Sequence, residues 1–413
     1  MRPEDVLSAV RALRGSSTTA APARAAEPRP ARTIPDHLVS EPPLVAILGG
    51  EWHETEDGPV FVKDTWCGLD HRHGSMPLRA ALDAPEPALR EILNGVAEGR
   101  PGRLGFLDIE TTGLSGGTGT YVFLAGLGTF EEKGFRLRQY LLADLGRERA
   151  MLRLLARDLR EVEGIVTYNG RSFDVPAIET RMTLCRLPRT LAAMPHLDLL
   201  HPVRRICRHR LPGCSLVDAE SFLLSLRRVN DVPGALIPAI YFDYTRAGRV
   251  APLRGVLRHN GADILSMTGI LARLAHLLAS EDLAPEDAAG VARWCEAKGD
   301  LDRARRLYRE AMPHLDGGPQ WSWAAPRYAM LLKRGGARAQ AVEIWRRLWD
   351  AGDFRAAVEI AKYLEHEARD LAAAEDVARA ALERAEEHDR PDVEHRLARI
   401  RRKLRRAEGS QAG

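Results

Sequence analysis

Leu104-Gly105-Phe106-Leu107-Asp108-Ile109-Glu110-Thr111-Thr112-Gly113-Leu114 places two carboxylates inside an apolar run. Leu104, Phe106, Leu107 and Ile109 read as a buried strand, in which acids are costly. Residues two apart on a strand share a face, so Asp108 and Glu110 point together and Ile109 points the other way. Two carboxylates side by side repel unless a cation lies between them, and hard oxygen ligands suit Mg²⁺ or Mn²⁺. The alternative for this stretch alone is a strand end rising into solvent.

Two further segments repeat the theme. Residues 164–168 read as a second buried strand, Asn169-Gly170 as a turn, and Phe173-Asp174-Val175-Pro176 as the opening of a helix through Ile178, Met182 and Leu184. Asp174 is a candidate ligand, with a helix N-cap as the alternative. Farther on, Leu253, Val256, Leu257, Ile264, Leu265, Ile270, Leu271 and Leu274 give a strongly apolar helix. His259 and Asp263, four apart, lie one turn from each other on the same face. An acid buried there needs a partner. Four carboxylates and a histidine, spread over about 155 residues, are the donor set that two-metal phosphodiester cleavage requires.

The order of these segments resembles the DEDD superfamily of 3′→5′ exonucleases, whose domain has the ribonuclease H-like fold. LDIETTGL and TYNGRSFDVPAIETR, then CSLVDAESFLLSLRR, DVPGALIPAIYFDY and LRHNGADILSM, are most similar to the bacterial YprB-like branch. The resemblance covers roughly residues 100–280. It implies an α/β domain with a mixed central sheet flanked by helices. It implies metal binding by Asp108, Glu110, Asp174 and Asp263, with Asp108 bridging two ions roughly 4 Å apart. It also implies a catalytic role for these four and for His259, which would accept a proton from the attacking water. The superfamily's third motif is histidine, four residues, aspartate, or tyrosine, three residues, aspartate. Here His259 and Asp263 combine the histidine with the shorter spacing, which leaves open whether His259 is the base.

Thr111, Asn169, Phe173, Arg204 and Arg205 are the candidates for substrate contact. Phe173 reads first as a core residue, with substrate contact as its other reading. Asp198, after a short apolar strand, is a candidate to support the site from behind, or else a cap. Residues 114–120 are Gly-rich but lack the lysine ending of a nucleotide P-loop, and read as a turn beside the metals. Arg204, Arg205, Arg208, Arg210, Arg227 and Arg228 suit phosphate binding, with a solvated helix face as the alternative. His201, Cys207, His209 and Cys214 match no common zinc spacing. Cys67, His71 and His73 read as a polar loop.

The chain has 60 basic and 57 acidic residues and a net charge of +3, so any nucleic-acid footprint is local. Five cysteines at irregular spacing, with neither a signal peptide nor a long apolar stretch, read as reduced thiols of a cytoplasmic protein outside the membrane. Residues 1–35 are expected to be a short amphipathic helix, over 1–15, followed by a disordered linker over 16–32. Residues 36–100 form an extension in which 44–62, with Gly49-Gly50 and Asp57-Gly58, predicts a hairpin. The ribonuclease H-like domain is expected over 101–282.

From about residue 283 to 408 the chain turns Ala-, Arg-, Glu- and Leu-rich with helical periodicity. Ala304, Ala341 and Ala374 fall in register, as do Leu307, Ile344 and Val377, at offsets of 37 and 33 residues. The preceding helices are expected at 286–298, 322–333 and 354–365. Helix pairs at such a period resemble tetratricopeptide repeats and define an all-α helical-repeat domain. The last helix, with Arg396, Arg399, Arg401, Arg402, Lys403, Arg405 and Arg406, reads as a basic cap or a nucleic-acid contact.

The expected partners are nucleic acid, DNA or RNA, and a protein held by the repeats. The readings to separate are a metal-dependent 3′→5′ exonuclease on single strands, a catalytically silent scaffold binding proteins through its repeats, and a structure-specific endonuclease.

Overall fold

A computed structural model describes residues 41–113 and 119–411. The expected N-terminal helix and linker, and most of the Gly-rich stretch, lie outside the described residues. Helix α1 (Glu41–Leu48) leads into strands β1 (Glu51–His53) and β2 (Val60–Cys67). A small second sheet holds β3 (Arg72–His73) and β4 (Met76–Pro77), followed by α2 (Glu86–Leu93). Strands β5 (Leu104–Thr111), β6 (Val122–Glu131) and β7 (Gly134–Leu141) precede α3 (Glu148–Leu159), β8 (Gly164–Thr167), α4 (Asp174–Leu184) and β9 (His196–Asp198). Helices α5 (Leu200–Cys207), α6 (Leu216–Leu223), α7 (Ile237–Ala247) and α8 (Leu253–Ala279) complete this part.

The seven-stranded sheet runs β1-β2-β7-β6-β5-β8-β9. β5 lies inside it, antiparallel to β6 and parallel to β8, so the sheet is mixed. Leu104, Phe106 and Leu107 are fully buried, as a strand covered on both faces requires. Leu104 and Phe106 face the core shared with α8, while Leu107 and Ile109 face the core shared with α3 and α4. By strand alternation Asp108 and Glu110 continue the α8-facing row. The ladder slips between Glu110 and Thr111, where the strand leaves the sheet.

Helix α8 lies hard on β6. A Cβ at Gly126 would sit 2.3 Å from Asn260 Oδ1 and 2.4 Å from Ile264 Cδ1. Glycine is the residue that permits this approach. By length and composition α8 is also apolar enough to cross a membrane, but 67% of the qualifying window is buried inside the protein, where it serves as the central helix.

The expected hairpin over 44–62 is corrected at its start. β1 and β2 pair through a turn closed by Thr55 and Gly58, but residues 44–48 are the end of α1. Leu44 and Leu48 are both buried, and their spacing of four matches one helical face better than a strand. β2 also pairs with β7, so the hairpin extends the central sheet.

The C-terminal part is helical throughout: α9 (Pro285–Lys298), α10 (Leu301–Leu315), α11 (Pro319–Arg334), α12 (Arg338–Asp350), α13 (Phe354–Tyr363), α14 (Leu371–Arg384) and α15 (Arg390–Gln411). Each packs on the next. Ala304, Ala341 and Ala374 are fully buried, consistent with close helix approach; Ile344 and Val377 are only half-buried. Asp300, Asp353 and Asp370 cap α10, α13 and α14. On α15, Arg396, Arg399 and Lys403 fold back onto the buried Glu365. This helical part shares one core with the sheet domain. At Gly290 on α9 a Cβ would lie 2.2 Å from the Ile206 carbonyl oxygen of α5, so the seam also depends on a missing side chain.

Candidate active site

β5 carries Asp108 and Glu110 to a pocket under α8. The loop after β8 delivers Asp174 as the first residue of α4. Its Oδ1 accepts from the Ile109 amide at 3.2 Å, tying the two segments together. From α8, Asn260 donates its Nδ2 to Asp108 Oδ2 at 2.8 Å and to the Asp108 carbonyl at 3.1 Å. Gln139 on β7 fixes that asparagine by donating to its Oδ1 at 2.8 Å. Next to Asn260 in sequence, His259 turns its Nε2 to within 4.0 Å of Glu110 Oε1 and 3.8 Å of Asp263 Oδ2. All five sequence-derived residues therefore meet at one place.

The electrostatics are those of a site short of positive charge. Burial, then repulsion from Asp263, Asp174 and Glu110, drives Asp108 well above the usual carboxylate range, against the pull of the Asn260 hydrogen bond. Burial, then Asp263, Asp174 and Asp231, pushes Glu110 up to about 8, with Arg228 opposing. Asp174 is pushed up to about 7, chiefly by burial, against hydrogen bonds from backbone amides. Asp263 is raised by burial, against Arg228 and His259. Four oxygen-bearing acids that cannot all ionise comfortably fit a hard divalent cation. A tighter trio of possible ligands, Glu51, His53 and Asp64, has its atoms within 4.8 Å of one another at the far edge of the sheet. There Asp64 is already met by Arg136 at 2.9 Å and by Arg138.

A second layer escaped the sequence reading. Arg228, treated there as part of a basic stretch, has its guanidinium almost fully buried among acids. It hydrogen-bonds Asp263 and the fully buried Glu220, and reaches Asp231 Oδ2 at 3.1 Å. Asp231 Oδ2 also lies 2.8 Å from His259 Nδ1. Burial disfavours the Asp231 carboxylate, but Arg228 and His259 outweigh it and hold its carboxyl below the usual range. Ser266 donates to Glu220 at 2.5 Å and meets His73 Nε2 at 2.7 Å. The available signal was the acid in VDAESF and RVNDVP beside two arginines; neither has a spacing that points to the site.

The remaining candidates divide. Thr111 Oγ1 donates to the Gly113 carbonyl at 2.8 Å, shaping the strand exit. Asn169 adopts a left-handed conformation, φ 65°, and is exposed. Phe173 is 44% exposed, which corrects its reading as core: it is the residue before α4, aimed off the helix rather than along its buried face. Asp198 supports the loop, accepting from the Asn169 amide at 2.7 Å, Arg171 at 3.1 Å and Leu200 at 3.1 Å. Arg204, Arg205, Arg208 and Arg227 are exposed, whereas Arg210 pairs with Asp287. His209 stacks on Trp323 at 4.1 Å and Cys207 is buried, so with His201 and Cys214 they make no metal group among the described residues. All five cysteines are free.

Residues 105–275 match the RNase_H_2 family, described as RNase_H superfamily. The match begins within β5 and ends within α8, so it contains every carboxylate of the pocket. A protein of Bacillus subtilis (strain 168), named "Uncharacterized protein YprB", is 31% identical over 380 residues, covering 86% of this chain and 90% of that protein.

Proposed function

The chain belongs to the YprB family of ribonuclease H-like proteins, and from that premise we propose that it is a metal-dependent nuclease, acting as a 3′→5′ exonuclease on single-stranded nucleic acid. One observation carries the reading: four carboxylates share a largely buried pocket and hold one another's proton affinities high. A fold gains nothing from that repulsion, and a divalent cation removes it.

Asp108, Glu110, Asp174 and Asp263 are the residues that would hold the cations. Mg²⁺ or Mn²⁺ bound there would supply Lewis acidity to a water and to the leaving oxygen. The chain's own part is positioning and proton transfer. Asn260 fixes the Asp108 carboxylate from behind, and the amide of Ile109 fixes Asp174. His259 turns Nε2 toward the acids and is the proton acceptor, its other edge held by Asp231. The exposed Phe173 offers a ring for stacking a terminal base.

A second reading has one observation behind it. Arg228 already occupies an oxygen of Asp263, as in a silent scaffold whose lost metal is replaced by an internal cation. Its partner face would then be the tetratricopeptide-like helices, whose consecutive pairs meet at buried alanines. We assign the first reading, with the helices presenting substrate or a protein partner, in the reducing cytoplasm.

The test is degradation of 3′- and 5′-labelled single-stranded DNA and RNA with Mg²⁺ or Mn²⁺, wild type beside Asp108→Asn. Stepwise loss from the 3′ end by wild type alone is expected. Cleavage at internal positions would make the enzyme an endonuclease. Absence of metal-dependent cleavage on every substrate would leave the scaffold.

A further inference from the structure

The loop that carries Asp174 has two sides. One faces the carboxylate pocket. The other forms the lip of a cleft of about 500 Å³ lined by Arg171, His196, His201, Arg205, Trp294 and Lys298, among others. The cleft lies where the β9 edge of the sheet meets α9. We propose that it is a binding track for the phosphate backbone of single-stranded nucleic acid, continuous with the catalytic pocket. This inference rests on the nuclease reading for the identity of the polyanion.

Three observations carry it. The first is unspent positive charge. Arg171, Arg205 and Lys298 are exposed and make no ion pair among the described residues. The Arg171 guanidinium gives a hydrogen bond to the His196 carbonyl, at 2.6 Å, and the Lys298 ammonium one to Asn94 Oδ1, at 3.2 Å. In the same segment as Arg205, Arg210 is bound to Asp287 and is not available in this way.

The second is that the cleft's own acid is used up. Asp198 is 3% exposed and its oxygens accept three backbone amides. It braces the wall and leaves the surface to the cations. Burial, with Arg171 close by, also holds His196 down to about 4, so it is neutral at pH 7 and adds no charge to be paired.

The third is placement. Asp108 stands on β5 and Asp198 on β9, with only β8 between them. Two strand spacings make roughly 10 Å, so a chain with one nucleotide at the carboxylates reaches the cleft with the next. Trp294 lines it but is only 5% exposed, and holds the Lys298 Nζ 5.1 Å from its ring centre. A positively charged groove that tracks the backbone is a usual construction for single strands. Because α9 supplies Trp294 and Lys298, the helical part would here be a component of the substrate site.

The experiment measures binding of fluorescein-labelled single-stranded DNA and RNA by anisotropy in EDTA, where nothing is cut. Wild type is compared with the Arg171→Gln/Arg205→Ala/Lys298→Ala triple, with Arg205→Ala alone, and with Arg160→Ala as an exposed control away from the cleft. Thermal melts confirm that each is folded. The expected result is weaker binding by both cleft variants. The triple's plot of log affinity against log salt should be shallower by about 2, from about 0.7 per cation removed. Arg160→Ala should match wild type. Unchanged affinity and slope in the triple, or no binding by wild type, overturns the track. Cleavage is scored separately with Mg²⁺. Cutting by wild type with a triple that binds normally rejects the track and keeps the nuclease. Binding that the triple loses, with no cutting under any metal, keeps the track and rejects the nuclease.

Discussion

Asp231 Oδ2 lies 2.8 Å from His259 Nδ1, on the opposite edge of the ring from Glu110 and Asp263. A carboxylate at Nδ1 fixes the ring's orientation and its tautomer, leaving Nε2 free to take a proton. His259→Ala should lower kcat by about 10² to 10⁴, the range of a lost general base. Asp231→Asn should cost less, about tenfold, with KM little changed, because the base survives but is held less firmly. Steady-state kinetics on a labelled oligonucleotide decide it. Equal rates in wild type and Asp231→Asn would reduce this contact to a structural one.

The acids make stability depend on pH in a defined direction. Glu110 and Asp174 have usual values near 4 and are pushed to about 8 and about 7 in the folded protein. The folded state therefore binds more protons than the unfolded chain between those limits. Their contribution is fully present below about pH 4 and is lost as pH rises to about 8. Without metal, the melting temperature should fall from pH 6 to pH 8. Metal needs the ionised acids, so its stabilisation should grow over the same interval, reaching about 2.7 kcal/mol at a hundred times Kd. Asp108→Asn should melt higher than wild type without metal and respond to Mg²⁺ or Mn²⁺ weakly or not at all. Calorimetric scans at four pH values check both signs. A metal-free melting temperature that rises toward pH 8 would contradict the account.

What the sequence disclosed and what it hid follow from the reach of the interactions. Asp108, Glu110, Asp174, His259 and Asp263 were legible as a set, from acids set in apolar segments and from the order of those segments, although Asp174 taken alone read as a helix cap. The long helix from residue 253 and the C-terminal helices were legible from periodicity, and the mixed sheet from the resemblance. Arg228 was not, since one arginine among several carries no local mark that it turns inward to Asp263 and Glu220. Asp231 sits in a turn-rich stretch where aspartate is ordinary. Phe173 read as core because a large aromatic side chain is usually buried, yet its place just ahead of α4 leaves it outside the buried face. The helix at 44–48 was mistaken because five apolar residues suit either period.

Gly126 links packing to chemistry. Its absent Cβ makes room for Asn260, which positions Asp108. Gly126→Ala would force Asn260 and Ile264 off β6, at a cost of about 1–3 kcal/mol. The catalytic loss should exceed what the remaining folded fraction explains, because the Asp108 carboxylate loses its brace. Activity per folded molecule, with folded fraction taken from near-UV circular dichroism, separates the two effects. Full specific activity in the folded fraction would show that Asn260 does not position Asp108.

Arg228 offers the sharpest separation of enzyme from scaffold. Its guanidinium binds Asp263 and Glu220 at once, and Glu220 is fully buried. Arg228→Met would leave Glu220 charged and unpaired, costing about 3–5 kcal/mol. Adding Glu220→Gln should recover part of that loss, since the orphaned charge goes with it. The two variants should also respond to metal more strongly than wild type. Asp263 is then free of its internal cation, and the pocket is more negative. In an enzyme, Arg228 holds Asp263 in place for turnover, so tighter metal binding should accompany a lower kcat. In a scaffold, Arg228 has replaced the metal, so the wild type should show no metal response and the Arg228→Met/Glu220→Gln protein should acquire one. Isothermal titration with Mn²⁺ on wild type and the double variant distinguishes these outcomes directly. Binding to wild type, strengthened in the double variant and paired with slower cleavage, is the result expected.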